Sequence, residues 1–156
     1  MNPQPTVIEP TIFAQVPDEL QLLDRDSHMS RDIFRGRPLG SFLEGPSFDR
    51  DGNLYVSESG DKGKQNGGIY RVDPNGSTQL WSNNMPGFYN GIAIDPTGTF
   101  LYAALTFVEP KIIRIPINSD GQAGSASIVV EMPKTVPDGL AFDIDGNLYV
   151  SCYRFR

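Results

Sequence analysis

Three polar residues stand directly before a glycine at nearly regular intervals: Glu44 before Gly45, Asn90 before Gly91, and Asp138 before Gly139. They lie 46 and 48 residues apart. Two carboxylates and one amide make an oxygen-only donor set. Brought to one place they would repel one another and be poorly solvated unless a cation sat among them. Such a set suits a hard divalent ion, Ca²⁺ first and Mg²⁺ or Mn²⁺ next, with Zn²⁺ also a candidate. The glycine after each would let backbone or a ligand come close. The plainer account is that each pair opens a strand, its polar residue bonding its own turn. The alternation of Glu, Asn and Asp favours the ligand account, because capping needs no such alternation and Glu is a poor turn residue.

The elements that must carry these residues are legible as a repeat. FDRDGNLYVSE (48–58) and FDIDGNLYVSC (142–152) differ at two positions only. A looser copy, IDPTGTFLYAA (94–104), lies between them with one residue inserted. A period of about 40–50 residues fits one four-stranded blade of a β-propeller. Within the first copy the pattern predicts strands over 46–49, 54–57, 68–72 and 77–81, punctuated by the turns Asp51-Gly52 and Asp73-Pro74-Asn75-Gly76. The second copy predicts strands over 111–117 and 127–131, and the third over 139–143 and 147–152. The expected fold class is therefore all-β, a β-propeller of which about two and a half blades are visible. They start near residues 44, 90 and 138 and make up a partial propeller over 44–156. Residues 1–43 read as an N-terminal segment: an outer closing strand over Val7–Phe13, then charged loop. A closed ring typically has at least four blades, so the chain is expected to form part of a larger ring. In a propeller the innermost strand of every blade runs along the central channel. Glu44, Asn90 and Asp138, at equivalent places, should then converge at one mouth of it.

SFLEGPSFDRDGNLYVSE, FYNGIAIDPTGTFLYAA and VPDGLAFDIDGNLYVSCY resemble the signature strands of the senescence marker protein/regucalcin/gluconolactonase family, over residues 42–156. The resemblance implies a six-bladed propeller that holds a divalent metal at the channel mouth and hydrolyses lactones or related esters. It places the family's metal ligands, a Glu in EGP, an Asn in NG and an Asp in PDG, on Glu44, Asn90 and Asp138. It also implies Asp138 as the catalytic base and a small-molecule lactone as substrate. Phe88 and Tyr89, just before Asn90, are candidates to line the mouth and bind substrate, with packing between blades as the plainer account. A middle blade of the family, which usually supplies another Asn, has no matching motif here. The rival expectation is a non-catalytic propeller fragment acting as a binding or structural module.

Composition bounds the alternatives. Gly 16 and Pro 13 in 156 residues argue against long helices. A net charge of −6 disfavours a general nucleic-acid partner, which would need clustered Lys and Arg. No stretch approaches the roughly 18 apolar residues of a membrane span, so no membrane partner is expected. The N-terminus lacks a basic, then apolar, signal pattern, and a cytoplasmic location is expected. Open sheet edges are expected to promote self-association. Other motifs read structurally: Asp49–Asn53 and Asn75-Gly76-Ser77 as turns, His28 as a surface residue, Trp81 as outer-blade packing, and Cys152 as a buried thiol.

Overall fold

The computed structural model describes residues 9–20, 42–60 and 66–153. The chain builds ten strands: β1 (Leu43–Phe48), β2 (Leu54–Glu58), β3 (Gly68–Val72), β4 (Thr78–Ser82), β5 (Phe88–Ile94), β6 (Phe100–Thr106), β7 (Lys111–Pro116), β8 (Ser127–Glu131), β9 (Val136–Phe142) and β10 (Leu148–Tyr153). Among the described residues the only helix is one 3-10 turn, Asp18–Leu20, and no helix is long and apolar enough to cross a membrane.

The turns explain why these strands pair with their sequence neighbours. Asp49 Oδ1 accepts the amides of Asp51 (3.0 Å) and Asn53 (2.8 Å), and its Oδ2 accepts Asn53 Nδ2 (2.8 Å) and the Tyr55 hydroxyl (3.3 Å). Asp143 repeats the set with Asp145, Asn147 and Tyr149. In the middle copy Asp95 Oδ1 takes the amides of Thr99 and Phe100. Gly52 and Gly146 sit at φ of +82° and +85°, a conformation only glycine adopts without strain. The calcium-loop-like run Asp49–Asn53 is thus a hairpin turn whose carboxylate is committed to its own backbone. Asp73 closes the Asn75-Gly76-Ser77 turn in the same way, through the amides of Asn75 and Ser77.

Pairing between these ten strands is antiparallel and sequential. The strands form sheets ordered β1-β2-β3-β4, β5-β6-β7-β8 and β9-β10. The first strands of successive sheets lie side by side, β1 against β5 and β5 against β9. That is the arrangement of blades about an axis, with the first strand of each blade innermost. The fold is an all-β partial propeller.

The core lies between the first two blades. Tyr55, Ile69 and Trp81 from the first sheet meet Tyr89, Ile92, Leu101, Leu105, Ile113 and Ile115 from the second, all buried. Each such side chain contributes roughly 1.5–3 kcal/mol by leaving water. Trp81 joins the two blades directly. Its ring stands edge-on to Tyr55 at 5.0 Å, and its Nε1 donates to the Gly121 carbonyl of the β7–β8 turn at 2.8 Å. It therefore packs between blades as well as on an outer strand. Burial fades outward: β5 is buried almost throughout, whereas every residue of β8 is exposed.

The expected strand over Val7–Phe13 falls partly outside the described residues, and its described part, residues 9–13, forms no strand. Instead Phe13–Val16 run beside the first sheet, enclosing a groove of about 210 Å³ with Leu43, Leu54, Val56, Tyr70 and Val72. The Tyr70 hydroxyl fastens this segment by donating to the Leu20 carbonyl at 2.6 Å.

Candidate functional site

Each polar-residue–glycine pair sits on an innermost strand, and at each the strand takes in one extra residue. In β1, Gly45 is extra between the pairs Glu44–Ser57 and Pro46–Val56. In β5, Asn90 and Gly91 fall between the pairs Tyr89–Leu105 and Ile92–Ala103. In β9, Asp138 and Gly139 fall between Pro137–Cys152 and Leu140–Val150. A bulge breaks the strict in–out alternation of side chains and re-aims the residue it carries. The same device recurs in all three blades at the residues that the spacing singles out.

The three bulges also touch. A methyl on Gly45 would lie 2.6 Å from the Ile92 nitrogen and 2.8 Å from the Gly91 Cα. One on Gly91 would collide with the Asp138 carbonyl oxygen and lie 2.7 Å from the Gly139 Cα. The backbones of Glu44-Gly45, Asn90-Gly91 and Asp138-Gly139 are therefore stacked in blade order, each glycine turned toward the next pair. Glycine is required at the first two positions because the neighbour there is rigid backbone.

Hydroxyl groups clamp the stack. Ser57 on β2 donates to the Asn90 carbonyl at 2.5 Å, and Thr106 on β6 donates to the Pro137 carbonyl at 2.8 Å; both bonds are buried. In each case the second strand of one blade holds the innermost strand of the next. Ser151, which occupies in β10 the place of Ser57 in β2, bonds within its own blade instead, to the Gly139 amide at 2.8 Å.

Asn90 is buried, while Glu44 and Asp138 are half-buried at the same level. Both carboxylates act on one phenol. Tyr153, the last residue of β10, pairs with Val136 two positions before Asp138. Its phenol is pushed above its ordinary value first by partial burial, then by the negative charges of Asp138 and Glu44. The strands that carry these carboxylates, from blades one and three, both meet the backbone of Gly91. Among the described residues no three His, Cys, Asp or Glu side chains cluster for a metal; the set at the stack is two carboxylates and an amide.

Phe88 and Tyr89 lie in the interior rather than at an opening. Tyr89 is fully buried in the core, its hydroxyl donating to the Met85 carbonyl at 2.8 Å, and burial pushes its phenol up to about 12. Phe88 is 5% exposed and stands edge-on to Phe107 at 5.1 Å. Packing accounts for both, between the blades for Tyr89 and within the second blade for Phe88. Cys152 is exposed, contrary to the expectation of a buried thiol, because its hairpin carries no further strand among the described residues. His28 lies outside the described residues. The bulges and Tyr153 escaped sequence reasoning. A glycine interrupting a strand pattern was the available signal for the bulges; nothing local pointed to Tyr153.

The sequence model of the SMP-30/gluconolactonase/LRE-like region matches residues 39–155. Among solved structures, a gluconolactonase from Xanthomonas campestris is similar with a TM-score of 0.58 and 25% identity, over 74% of this chain and 44% of that one. A chain of a nidogen/laminin complex is similar with a TM-score of 0.58 and 21% identity, over 73% of this chain and 42% of that one. Both are six-bladed propeller proteins, and this chain spans less than half the length of either. No curated protein sequence matches. With the family match covering most of the sequence and the blade topology in place, the chain belongs to the SMP-30/gluconolactonase/LRE-like family.

Proposed function

We propose that this chain contributes the site of a metal-dependent hydrolase acting on a sugar lactone or a related cyclic ester. The observation that carries the reading is the stack of three bulges, which gathers Glu44-Gly45, Asn90-Gly91 and Asp138-Gly139 from successive blades. The donor chemistry fits a divalent cation, Ca²⁺ first: two carboxylates with an amide oxygen between them in blade order, on strands whose backbones meet. Glu44, Asn90 and Asp138 would hold it.

When bound, such an ion supplies positive charge for the lactone carbonyl oxygen as it becomes an oxyanion. The chain's own residues do the rest. Asp138 takes the proton of an attacking water whose oxygen bonds to the carbonyl carbon. The ring C–O bond then breaks, and the proton passes to the departing ring oxygen, leaving an open-chain hydroxy acid. Glu44 and Asn90 fix the position of the reacting carbonyl relative to Asp138, and the Ser57 and Thr106 clamps fix the strands that carry Asn90 and Asp138.

The test is proton release from glucono-δ-lactone by the 156-residue chain in millimolar Ca²⁺ and again in chelator. Hydrolysis should require the ion and fall by about 10²-fold or more in Asp138→Asn, the usual range for loss of a general base. Ring opening no faster than that of the lactone without protein, in Ca²⁺ as in chelator, would remove the hydrolase reading. The chain would then be a non-catalytic propeller module.

A further inference from the structure

We infer that the open face of the third blade is a docking surface for the first blade of a second copy of this chain, so that two copies close one ring. The inference stands apart from the hydrolase reading and comes from one contact that the blades repeat. Tyr55 of β2 is fully buried in the core shared with Ile92 of β5. Tyr102 of β6 stands edge-on to Phe142 of β9, ring centroids 5.0 Å apart. Tyr149 of β10 is the next tyrosine in this series. Its hydroxyl donates to Asp143 Oδ2 at 3.1 Å, as that of Tyr55 donates to Asp49 Oδ2 at 3.3 Å, so the two rings are anchored alike. Yet Tyr149 is 60% exposed. The matching half lies at the other end of the series. Phe48 stands just before its turn aspartate, as Ile94 and Phe142 do in the later blades. Ile94 packs on the core between the first two blades, whereas Phe48 is 67% exposed.

The backbone repeats the pattern. Gly45 is turned closely onto Gly91, and Gly91 onto Gly139, but Gly139 meets only Ser151 of its own blade. The third blade thus offers a tyrosine ring and a bulge glycine that no further blade covers among the described residues. The first blade offers the aromatic residue and the bulge that would cover them. Two strands are enough for such a boundary: β5 packs chiefly on β1 and β2, and β9 on β5 and β6. The third blade has both kinds, β9 and β10. Phe13–Val16 lie against Leu43, Leu54, Val56, Tyr70 and Val72 on the first sheet and leave Phe48 uncovered. The number of blades selects a second copy as the occupant. This chain has three innermost strands, β1, β5 and β9, where its solved neighbours have six blades. Three blades of six turn through half a circle, so a head-to-tail contact closes after two copies, with a twofold axis along the channel.

The experiment uses the 156-residue chain carrying Cys152→Ser, which removes its only cysteine. One preparation adds Phe48→Cys and another Tyr149→Cys, both at exposed positions. Thermal melts check that they fold as the parent does; should Tyr149→Cys melt early, Ser151→Cys, on the same face of β10, takes its place. A short bis-maleimide is added to each preparation alone and to their mixture, and products are separated under denaturing conditions. The mixture should give a linked dimer, and neither preparation alone should. A chain carrying both substitutions should link into dimers and go no further, because the ring closes. A link within a single preparation, no link in the mixture, or a ladder of larger products would each overturn the inference. Joining residues 39–155 to the remaining blades of a longer relative should abolish the link, since those blades would cover both faces. A link that persists there would place the contact elsewhere and overturn it too. No lactone enters the measurement, so its outcome and that of the hydrolase test are read separately.

Discussion

Gly91 faces the carbonyl of Asp138 across a blade boundary so closely that a single methyl group cannot be placed between them. Gly139, its counterpart in the third blade, would meet nothing nearer than the Ser151 hydroxyl, at 3.3 Å. Two glycines equivalent by repeat are therefore unequal by environment. Gly91→Ala should cost about 1–3 kcal/mol, the usual penalty for forcing a methyl group into a packed interior, whereas Gly139→Ala should cost visibly less. Urea unfolding of the two variants is the comparison; equal losses would mean that the blades do not meet at their bulges.

A cation that relieves repulsion only in the assembled stack must stabilise the fold. Ca²⁺ at about one hundred times its Kd would add roughly 2.7 kcal/mol, or about 5–10 °C in Tm for a chain of this size. Melts in chelator and in millimolar Ca²⁺ should differ by that amount for wild type, and much less for Glu44→Gln. Indistinguishable pairs of melts would speak against a cation at Glu44.

The turn residue Asp95 makes stability depend on acid. Burial pushes Asp95 up, but hydrogen bonds from the Thr97 hydroxyl and the amides of Phe100 and Thr99 outweigh it and hold the carboxyl below its ordinary 3.8. A depressed value in the folded state stabilises above the ordinary value, and that contribution is lost as pH falls through 3.8 toward the folded one. Urea midpoints should fall between pH 5 and pH 3, with a shallower fall in Asp95→Asn. A variant that tracks wild type over that interval would show that the turn does not carry the linkage.

Exposed strand surface should make this polypeptide associate. Ile128, Val129 and Val130 are each nearly half exposed on β8, and the outer edge of β10 has no strand neighbour among the described residues. Such edges are templates for pairing with another copy. Sedimentation of the 156-residue chain should show concentration-dependent oligomers. Lysines introduced as Val129→Lys and Cys152→Lys should shift them toward monomer. Joining residues 39–155 to the remaining blades of a longer relative should also yield a monomer, with higher lactone turnover.

The blades were legible because their information is local. Period-two strands and Asp-x-x-Gly turns satisfy themselves within a dozen residues, so β3 and β8 fall where the pattern puts them, and β2, β4, β7 and β10 within a residue of it. The innermost strands were read too short: β1 begins at Leu43 and β9 at Val136, ahead of the glycines that seemed to open them. A bulge lets a strand continue through a glycine, and no single-strand pattern shows that. The site's candidates came from spacing, which topology converts into adjacency. Cys152 was misplaced because burial depends on which strand lies alongside, a contact made between residues far apart in the chain. Tyr153 was invisible for the same reason, being linked to Glu44 only through two blade boundaries.

The hydroxyl clamps carry a consequence for how such a ring can be recombined. Ser57 secures Asn90, and Thr106 secures Pro137 beside Asp138, so the innermost strands of the second and third blades are each held by a residue encoded in the preceding blade. The unit that must be inherited together begins midway through one blade and ends at the start of the next. It is out of phase with the visible architecture. Chimeras cut at blade boundaries separate Asn90 and Asp138 from their clamps, whereas cuts placed between the first and second strands of a blade exchange each clamp together with the strand it holds. In this fold the modules of shape and the modules of chemistry have different borders.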